Sequence, residues 1–385
     1  MSTRNDSSQQ YGSHNYSDVI KGNVIVVIES VSSPIIIIMG LIGSAVGTAT
    51  LLRVAGLRFR GVGHLLVAIC VSDAIFLASL LPMWLGRRYG RYYDLYNSDG
   101  WCELLSLTTM SSNFLSTWFM VALGVERYVA VRHCCCDEPA VNGGVNPKPT
   151  TKMSCGPTRT RVAIISLTVL AIVVFVNMVV NIGSVKDANG VGQCIPLQPA
   201  VDAMHTLTNV DLVVNVIVPN VIITVLYITV GVRLLSWNCR RNQVINHLVL
   251  PRFVVENAAS LTEFRLTKTA VLLSAVVMLL SAPSHVVRII YVVAEVFRIP
   301  PPAQIGGSAV QMVVQELFNA SFAVPFFVVF ASHNRIRRSI ILSVKLMLES
   351  MWKRLEVALC SCTGQAPSQP AQTATIQPDS NVFTS

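Results

Sequence analysis

The sequence contains seven long apolar runs, each long enough to cross a lipid bilayer as a helix. The runs cover residues 24–52, 64–85, 102–131, 161–183, 207–235, 266–296 and 308–331. About 20 helical residues span the ~30 Å hydrocarbon layer. With 52% apolar and 13% charged residues, the 385-residue chain holds more apolar length than one soluble core can use. The sequence therefore predicts an all-α bundle of seven transmembrane helices.

The segments outside these runs predict the rest of the domain organisation. Residues 1–23 are polar and form an extracellular segment without a cleavable signal peptide, so the first run of the 24–331 bundle would act as the insertion signal. Residues 332–362 contain a basic amphipathic helix, from Arg335 to Leu359, which lies on the inner membrane surface. Residues 363–385 are rich in Pro, Gln, Ser and Thr, a composition typical of a disordered cytoplasmic tail.

The distribution of basic residues predicts the orientation of the bundle. One set of loops, together with the tail, carries 20 of the 29 Lys and Arg residues, so that side is cytoplasmic. The amino terminus is then extracellular, which suits the two glycosylation sequons at Asn5 and Asn15. The net charge of +9 is explained by this topology and by anionic membrane lipid. No basic patch is interleaved with aromatic residues, so a nucleic-acid partner is not expected.

The ten cysteines fall on both sides of the membrane. Cys102 and Cys194 lie on the extracellular side, where thiols are oxidised. Cys134–Cys136 lie in the second cytoplasmic loop, and plain thiols, acylated thiols and a metal site stay open as interpretations there. Cys360 and Cys362 follow the amphipathic helix and suit reversible palmitoylation.

The third apolar run carries the most specific pair of landmarks. Cys102 stands at its extracellular end, and the triplet Glu126-Arg127-Tyr128 stands at its cytoplasmic end, about 37 Å away along a helix. With this pair, the chain resembles rhodopsin-like (class A) G-protein-coupled receptors over about residues 24–350. Further landmarks of that family stand in register at Asp73, Cys194, Pro219, Tyr227 and Pro283.

The resemblance implies a fold, a partner and roles for particular residues. Cys102 and Cys194 would be joined by a disulfide bond. A heterotrimeric G protein would be received at Arg127, with Tyr227 supporting the arginine after the kinked sixth span swings outward. Glu263 has the position of the acid that pairs with this arginine in the inactive state. Two interpretations of Glu263 stay open, a latch to Arg127 and a solvated charge worth little energy.

The resemblance also implies an intramembrane polar pocket. Asp73 must face the bundle, because a carboxylate facing lipid would cost several kcal/mol. In the family this acid binds sodium, and Ser116 matches its serine ligand. Ser44 and Val324 replace the family's two asparagines, so the sodium site is weak or absent and no other cofactor is expected. A protonated Asp73 that is only hydrogen-bonded to Ser116 is the alternative.

Other departures suggest a finer resemblance. Ser281 replaces the sixth-span tryptophan, Val328 replaces the seventh-span tyrosine, and the fourth span has no tryptophan. This pattern resembles orphan receptor homologues encoded by betaherpesviruses. It implies a location in the host plasma membrane and endosomes, basal activity and constitutive internalisation. The third run contains no aspartate that would bind an amine, which favours a chemokine, a peptide or no ligand.

The sequence also bears on classes of protein other than a signalling receptor. No reactive constellation indicates an enzyme, and the odd number of spans without an inverted repeat argues against a transporter. The main alternative is a non-signalling homologue that scavenges a ligand or forms heteromers with host chemokine receptors. In either case the tail is a candidate binding segment for arrestin or sorting adaptors.

Overall fold

The computed structural model describes the backbone of residues 16–53, 61–89, 99–136, 157–179, 182–186, 192–196, 206, 209–245, 254–298 and 308–332, with seven positions between 337 and 352. Side chains are described mainly for residues 30–53, 61–86, 99–132, 158–176, 182–183, 209–233, 265–294 and 309–332. All other positions lie outside the residues that the structure describes.

Seven long helices form the main unit of the structure. They are α1 (Tyr16–Arg53), α2 (Gly61–Tyr89), α3 (Asp99–Cys136), α4 (Pro157–Val179), α5 (Val218–Ile245), α6 (Val254–Val296) and α7 (Ser308–Ser332). A π-helical segment, Leu212–Ile217, precedes α5 and belongs to the same span. All seven spans are long and apolar enough to cross a membrane. The predicted seven-helix membrane bundle is confirmed.

A short hairpin interrupts the helical pattern between the fourth and fifth spans. β1 (Ile182–Lys186) pairs antiparallel with β2 (Gly192–Pro196). The fourth apolar run was predicted to continue to residue 183, but the helix ends at Val179. The prediction of that boundary was wrong because the backbone of β1 forms its hydrogen bonds with β2 and not within a helix.

The helices form a ring in which α2 and α3 each pack against four other helices. The neighbours of α3 are α2, α4, α5 and α6, those of α2 are α1, α3, α4 and α7, and α1 also packs against α7. Most of the large side chains of α4 face outward, including Val162, Ile165, Val169 and Val173. Such a face is stable only against lipid, which agrees with the membrane location.

Close packing at the junction of α1, α2 and α7 depends on small residues. Phe76 stacks on Phe322 with ring centroids 3.9 Å apart, and Leu77 and Ala323 complete this buried cluster. On α1, a Cβ atom added at Gly43 would lie only 2.8 Å from a ring carbon of Phe326. Glycine therefore lets the backbone of α1 approach the aromatic side chains of α7.

The carboxy-terminal unit covers Arg337–Ser385 and is described on its own. Its described positions are helical, and Lys345 Nζ lies 4.0 Å from Glu349 Oε1, one turn further along the helix. Ile341 and Trp352 are exposed. Exposed apolar side chains are expected on an amphipathic helix that lies on a membrane surface. The remaining apolar residues of the predicted amphipathic helix, and the tail with Cys360 and Cys362, lie outside the described residues.

Candidate functional site

Arg127 occupies a covered position at the end of α3 that the basic residues predict to be cytoplasmic. Its side chain is only 3% exposed, and its Nη2 atom lies 3.7 Å from Glu126 Oε1. The Glu126 carboxylate lies over the first residue of α2, because a Cβ atom at Gly61 would be 2.6 Å from Glu126 Oε1 and 2.4 Å from Thr160 Oγ1. Glycine at this position leaves room for the carboxylate, which lies at a helix amino terminus where negative charge is favoured.

The fifth span supplies a second group beside this arginine. Tyr227 is buried, and Arg127 and Ser274 lie near it. The backbones approach closely here, since a Cβ atom at Gly124 would be 3.3 Å from Leu226 and 3.5 Å from the Tyr227 ring. The structure therefore brings the predicted Arg127 and Tyr227 together from α3 and α5.

The last residue of the triplet makes a separate link between α3 and α5. The guanidinium carbon of Arg233 lies 5.2 Å from the centroid of the Tyr128 ring. A cation over an aromatic face at this distance is attractive. The contact holds the ends of α3 and α5 together beside Arg127, and it was not predicted from the sequence.

The predicted latch acid and the predicted kink both lie on α6. The backbone of Glu263 is helical, but its side chain lies outside the described residues, so a contact with Arg127 stays a prediction. Pro283 lies inside the same helix, where its ring removes a backbone hydrogen bond.

The intramembrane pair predicted from the sequence is present in the structure. Asp73 is 1% exposed, and its Oδ1 atom accepts a hydrogen bond of 2.5 Å from the Ser116 hydroxyl. Asp73 Oδ2 is buried and has no hydrogen-bond partner among the described residues. A proton on Asp73 or a sodium ion beside it would satisfy this oxygen, so the two interpretations predict the same protein geometry. That the sodium site at Asp73 and Ser116 is weak or absent therefore stays a prediction.

A small cavity with both polar and apolar lining lies beside this pair, next to Ser281, which stands where the family has its sixth-span tryptophan. Its volume is about 40 Å³, and the residues that line it include Ser116, Asn220, Ser274, Ser281 and His285. The Ser281 hydroxyl donates to the Met278 carbonyl at 3.4 Å within its own helix. The hydroxyl groups of Ser116, Ser274 and Ser281 therefore form part of the cavity wall, together with apolar side chains such as Met120 and Phe318.

A charged cluster joins the outer halves of the fifth and sixth spans. Arg288 Nη2 donates to Asp211 Oδ2, and Asn215 Nδ2 donates to Asp211 Oδ1, each at 2.5 Å. The side chains of Arg288 and Asp211 are 33% and 16% exposed. The pairing of Arg288 with Asp211 and Asn215 was not predicted from the sequence. The available signal was the four-residue spacing of Asp211 and Asn215, which places both on one face of a helix.

Removing one member of this cluster is expected to destabilise the receptor. We predict that Arg288→Gln lowers the free energy of unfolding by about 1–3 kcal/mol, because the Asp211 carboxylate loses its cationic partner in a partly buried site. Thermal unfolding of Arg288→Gln, Asp211→Asn and the double variant measures the coupling. Additive losses in the double variant would show that the two side chains do not stabilise each other.

A second outer-half contact joins the first and last spans. The Ser33 hydroxyl on α1 donates to Glu316 Oε1 on α7 at 2.5 Å. This contact was not predicted from the sequence. A carboxylate within the bundle is stable only when groups of this kind solvate it, so the contact fixes α1 against α7.

The extracellular end of α3 lies against the hairpin. Cys102 is buried, and its Sγ atom is 3.8 Å from the carbonyl oxygen of Gly183 on β1. Cys194 stands opposite Ser184 in the pairing of β1 with β2. Cys102 is disulfide-bonded, but the side chain of its partner is not described. Its pairing with Cys194 therefore stays a prediction.

Several predicted modification sites lie outside the described residues. They are the sequons at Asn5 and Asn15, and the thiols at Cys360 and Cys362. Within the described part of the chain, no cluster of three or more His, Cys, Asp or Glu residues would hold a metal ion.

Seven membrane-spanning helices, with a buried arginine beside a carboxylate in the last third of α3, define the class of seven-transmembrane receptors. The chain belongs to the rhodopsin family of seven-transmembrane receptors, whose family model matches residues 57–319. Members of this family are receptors and not enzymes, so the expectation that the chain is not an enzyme is confirmed.

Two kinds of receptor are among the curated relatives. The chain is 24% identical to galanin receptor 2b of Danio rerio over 139 residues, which are 34% of this chain and 35% of that receptor. It is 28% identical to C-C chemokine receptor type 3 of Macaca mulatta over 141 residues, which are 34% of this chain and 39% of that receptor. The matched region thus spans well under half the length of these relatives.

Proposed function

We propose that this protein is a receptor that couples to heterotrimeric G proteins through the cytoplasmic end of its bundle. The observation that carries the proposal is the buried Arg127, with Glu126 on one side and Tyr227 near it. The family implies this type of partner. Burying a guanidinium group is costly unless it is paired, and the Glu126 carboxylate, 3.7 Å from Arg127 Nη2, supplies an opposite charge at this position.

The covered position of Arg127 implies a conformational change on coupling. At 3% exposure, its side chain is not accessible to a protein partner in the described state. An outward movement of α6 would open this end of the bundle and move Ser274 away from Tyr227. Arg127 would then be exposed to the G protein, and Tyr227 would be available to support it. A ligand that binds the open state better would shift the equilibrium toward coupling.

The ligand class proposed for this receptor is a chemokine or another peptide. One curated relative is a C-C chemokine receptor, which supports this class. The charged Asp211–Arg288 pair in the outer half offers both signs of charge to a polar ligand. Viral origin, residence in the host plasma membrane and endosomes, and constitutive internalisation remain predictions from the sequence pattern.

A non-signalling homologue is the second candidate function. The described seventh span supports it, because the residue at the position of the family's tyrosine is Val328, which is buried and has no hydroxyl group. Scavenging of a ligand or heteromer formation with host chemokine receptors would require the bundle but not the switch.

Nucleotide exchange separates the two candidates. We expect the wild-type receptor to accelerate GDP release from at least one member of a panel of purified G proteins, and Arg127→Ala to reduce exchange to the receptor-free rate. The physical reason is the loss of the cation that the G protein would contact.

Arg132→Ala is the matched control, since it removes an exposed arginine from the same end of α3. Thermal unfolding checks that each variant is folded. Unchanged exchange with folded Arg127→Ala would contradict the role of Arg127, and no exchange with the wild type on any G protein would favour the non-signalling homologue.

A further inference from the structure

A long groove runs along the outside of the bundle between α2, α3 and α4. Its volume is about 820 Å³, and its apolar lining includes Val67, Ala68, Val71, Ile75, Ile165 and Ile172. Val71, Ile75, Ile165 and Ile172 are exposed large apolar residues. The groove is separate from Arg127 and from the small cavity beside Ser281, and neither the family match nor the relatives assign it a role.

The groove has the length of one leaflet of a bilayer. Its lining reaches from Arg161 to Ile172 on α4 and from Gly63 to Ile75 on α2. These stretches correspond to about 16 and 18 Å of helix. One leaflet of a hydrocarbon core ~30 Å thick measures about 15 Å, so an acyl chain entering at the membrane surface would reach the far end of the groove.

The cytoplasmic end of the groove carries a positive charge. Nε and Nη2 of Arg161 donate to His64 Nε2, at 3.4 and 3.3 Å. These contacts use at most two of the five N–H donors of the guanidinium group. No described carboxylate forms an ion pair with Arg161. An exposed guanidinium with donors to spare is suited to a phosphate group.

We propose that this groove binds an anionic phospholipid of the cytoplasmic leaflet. The phosphate binds the Arg161 guanidinium, which His64 holds in place, and one acyl chain lies along the apolar side chains of α2 and α4. The charge of Arg161 at one end and the leaflet-long apolar wall make this occupant more suitable than a neutral lipid or a second copy of the receptor. The cytoplasmic leaflet is also the one that carries anionic lipids.

Photocrosslinking in nanodiscs tests the proposal on the full-length chain. The probe is phosphatidylserine with a photoreactive group on one acyl chain, present as a tracer in phosphatidylcholine, and the labelled peptides are identified by mass spectrometry. We expect labels on α4 between Arg161 and Ile172 and on α2 between Gly63 and Ile75. Arg161→Gln should reduce this labelling about fivefold, the effect of one basic residue near a membrane surface.

Arg159→Gln is the matched control, because it removes another exposed arginine two residues away that does not line the groove. It should leave the labelling unchanged, and Arg161→Lys should retain most of it. Ala68→Trp fills the groove and should remove the label even with Arg161 intact. Thermal unfolding confirms that the variants are folded.

Four results would overturn the proposal. Equal losses with Arg159→Gln and Arg161→Gln would indicate general attraction to the membrane surface. Equal labelling by a photoreactive phosphatidylcholine, or preferential labelling by a sterol probe that is insensitive to Arg161, would assign the groove to another lipid. Crosslinks from groove residues to a second receptor copy, in place of lipid, would assign it to an interface.

Discussion

Gly40→Ala is expected to lower the thermal unfolding temperature by roughly 2–3 °C, the equivalent of about 2 kcal/mol for a protein of this size. An added Cβ atom would lie 2.3 Å from Leu77 Cδ1, and 3.0 and 3.2 Å from the Cβ and Cα atoms of Ala323. Leu77 is fully buried, and the Ala323 Cα atom is backbone, so neither can move away cheaply. The packing of α1 against α2 and α7 must therefore loosen.

Gly231→Ala provides the matched control for this prediction. A Cβ atom at Gly231 would meet nothing within 4 Å. Both substitutions gain helix propensity, by up to about 1 kcal/mol, so only the clash distinguishes them. We expect Gly231→Ala to unfold at the wild-type temperature or slightly above it, and Leu77→Val to restore part of the stability of Gly40→Ala. Equal unfolding temperatures for the two alanine variants would show that the helices adjust without cost.

Loss of the proposed bridge between Cys102 and Cys194 is expected to prevent delivery of most of the receptor to the cell surface. The bond would close a loop of roughly 90 residues, for which chain entropy predicts a stabilisation of about 4–5 kcal/mol. It would also hold the hairpin, whose β1 strand contacts Cys102, against the extracellular end of α3. Surface labelling and thermal unfolding of Cys102→Ser and Cys194→Ser measure the effect.

The double variant provides the sharper result. If the two sulfur atoms are bonded to each other, each single substitution already removes the whole bond, and the double variant is no less stable than either single variant. Cys155→Ser, in the second predicted cytoplasmic loop, controls for the loss of a thiol and should have no effect. Additive losses, or recovery of Cys194 as a free thiol in folded receptor, would contradict the pairing.

The sequence alone determined the class of fold and much of the candidate site. The bilayer thickness requires long apolar helices, so seven runs of sufficient length predicted seven spans without knowledge of any contact. The cost of a carboxylate in lipid placed Asp73 inside the bundle, and the resemblance to a family paired it with Ser116. Both inferences depend on properties of single residues or on a spacing along one helix.

The tertiary structure decided the contacts between residues that are far apart in the chain. The Asp211–Arg288 pair joins residues 77 positions apart, and the Ser33–Glu316 contact joins residues 283 positions apart. The groove beside Arg161 and the position of Glu126 over Gly61 are likewise formed by several helices. The rotation and tilt of each helix decide which side chains meet, and these depend on the packing of all helices together. A sequence pattern specifies the polar face of a helix, but only the packed bundle specifies the partner of that face.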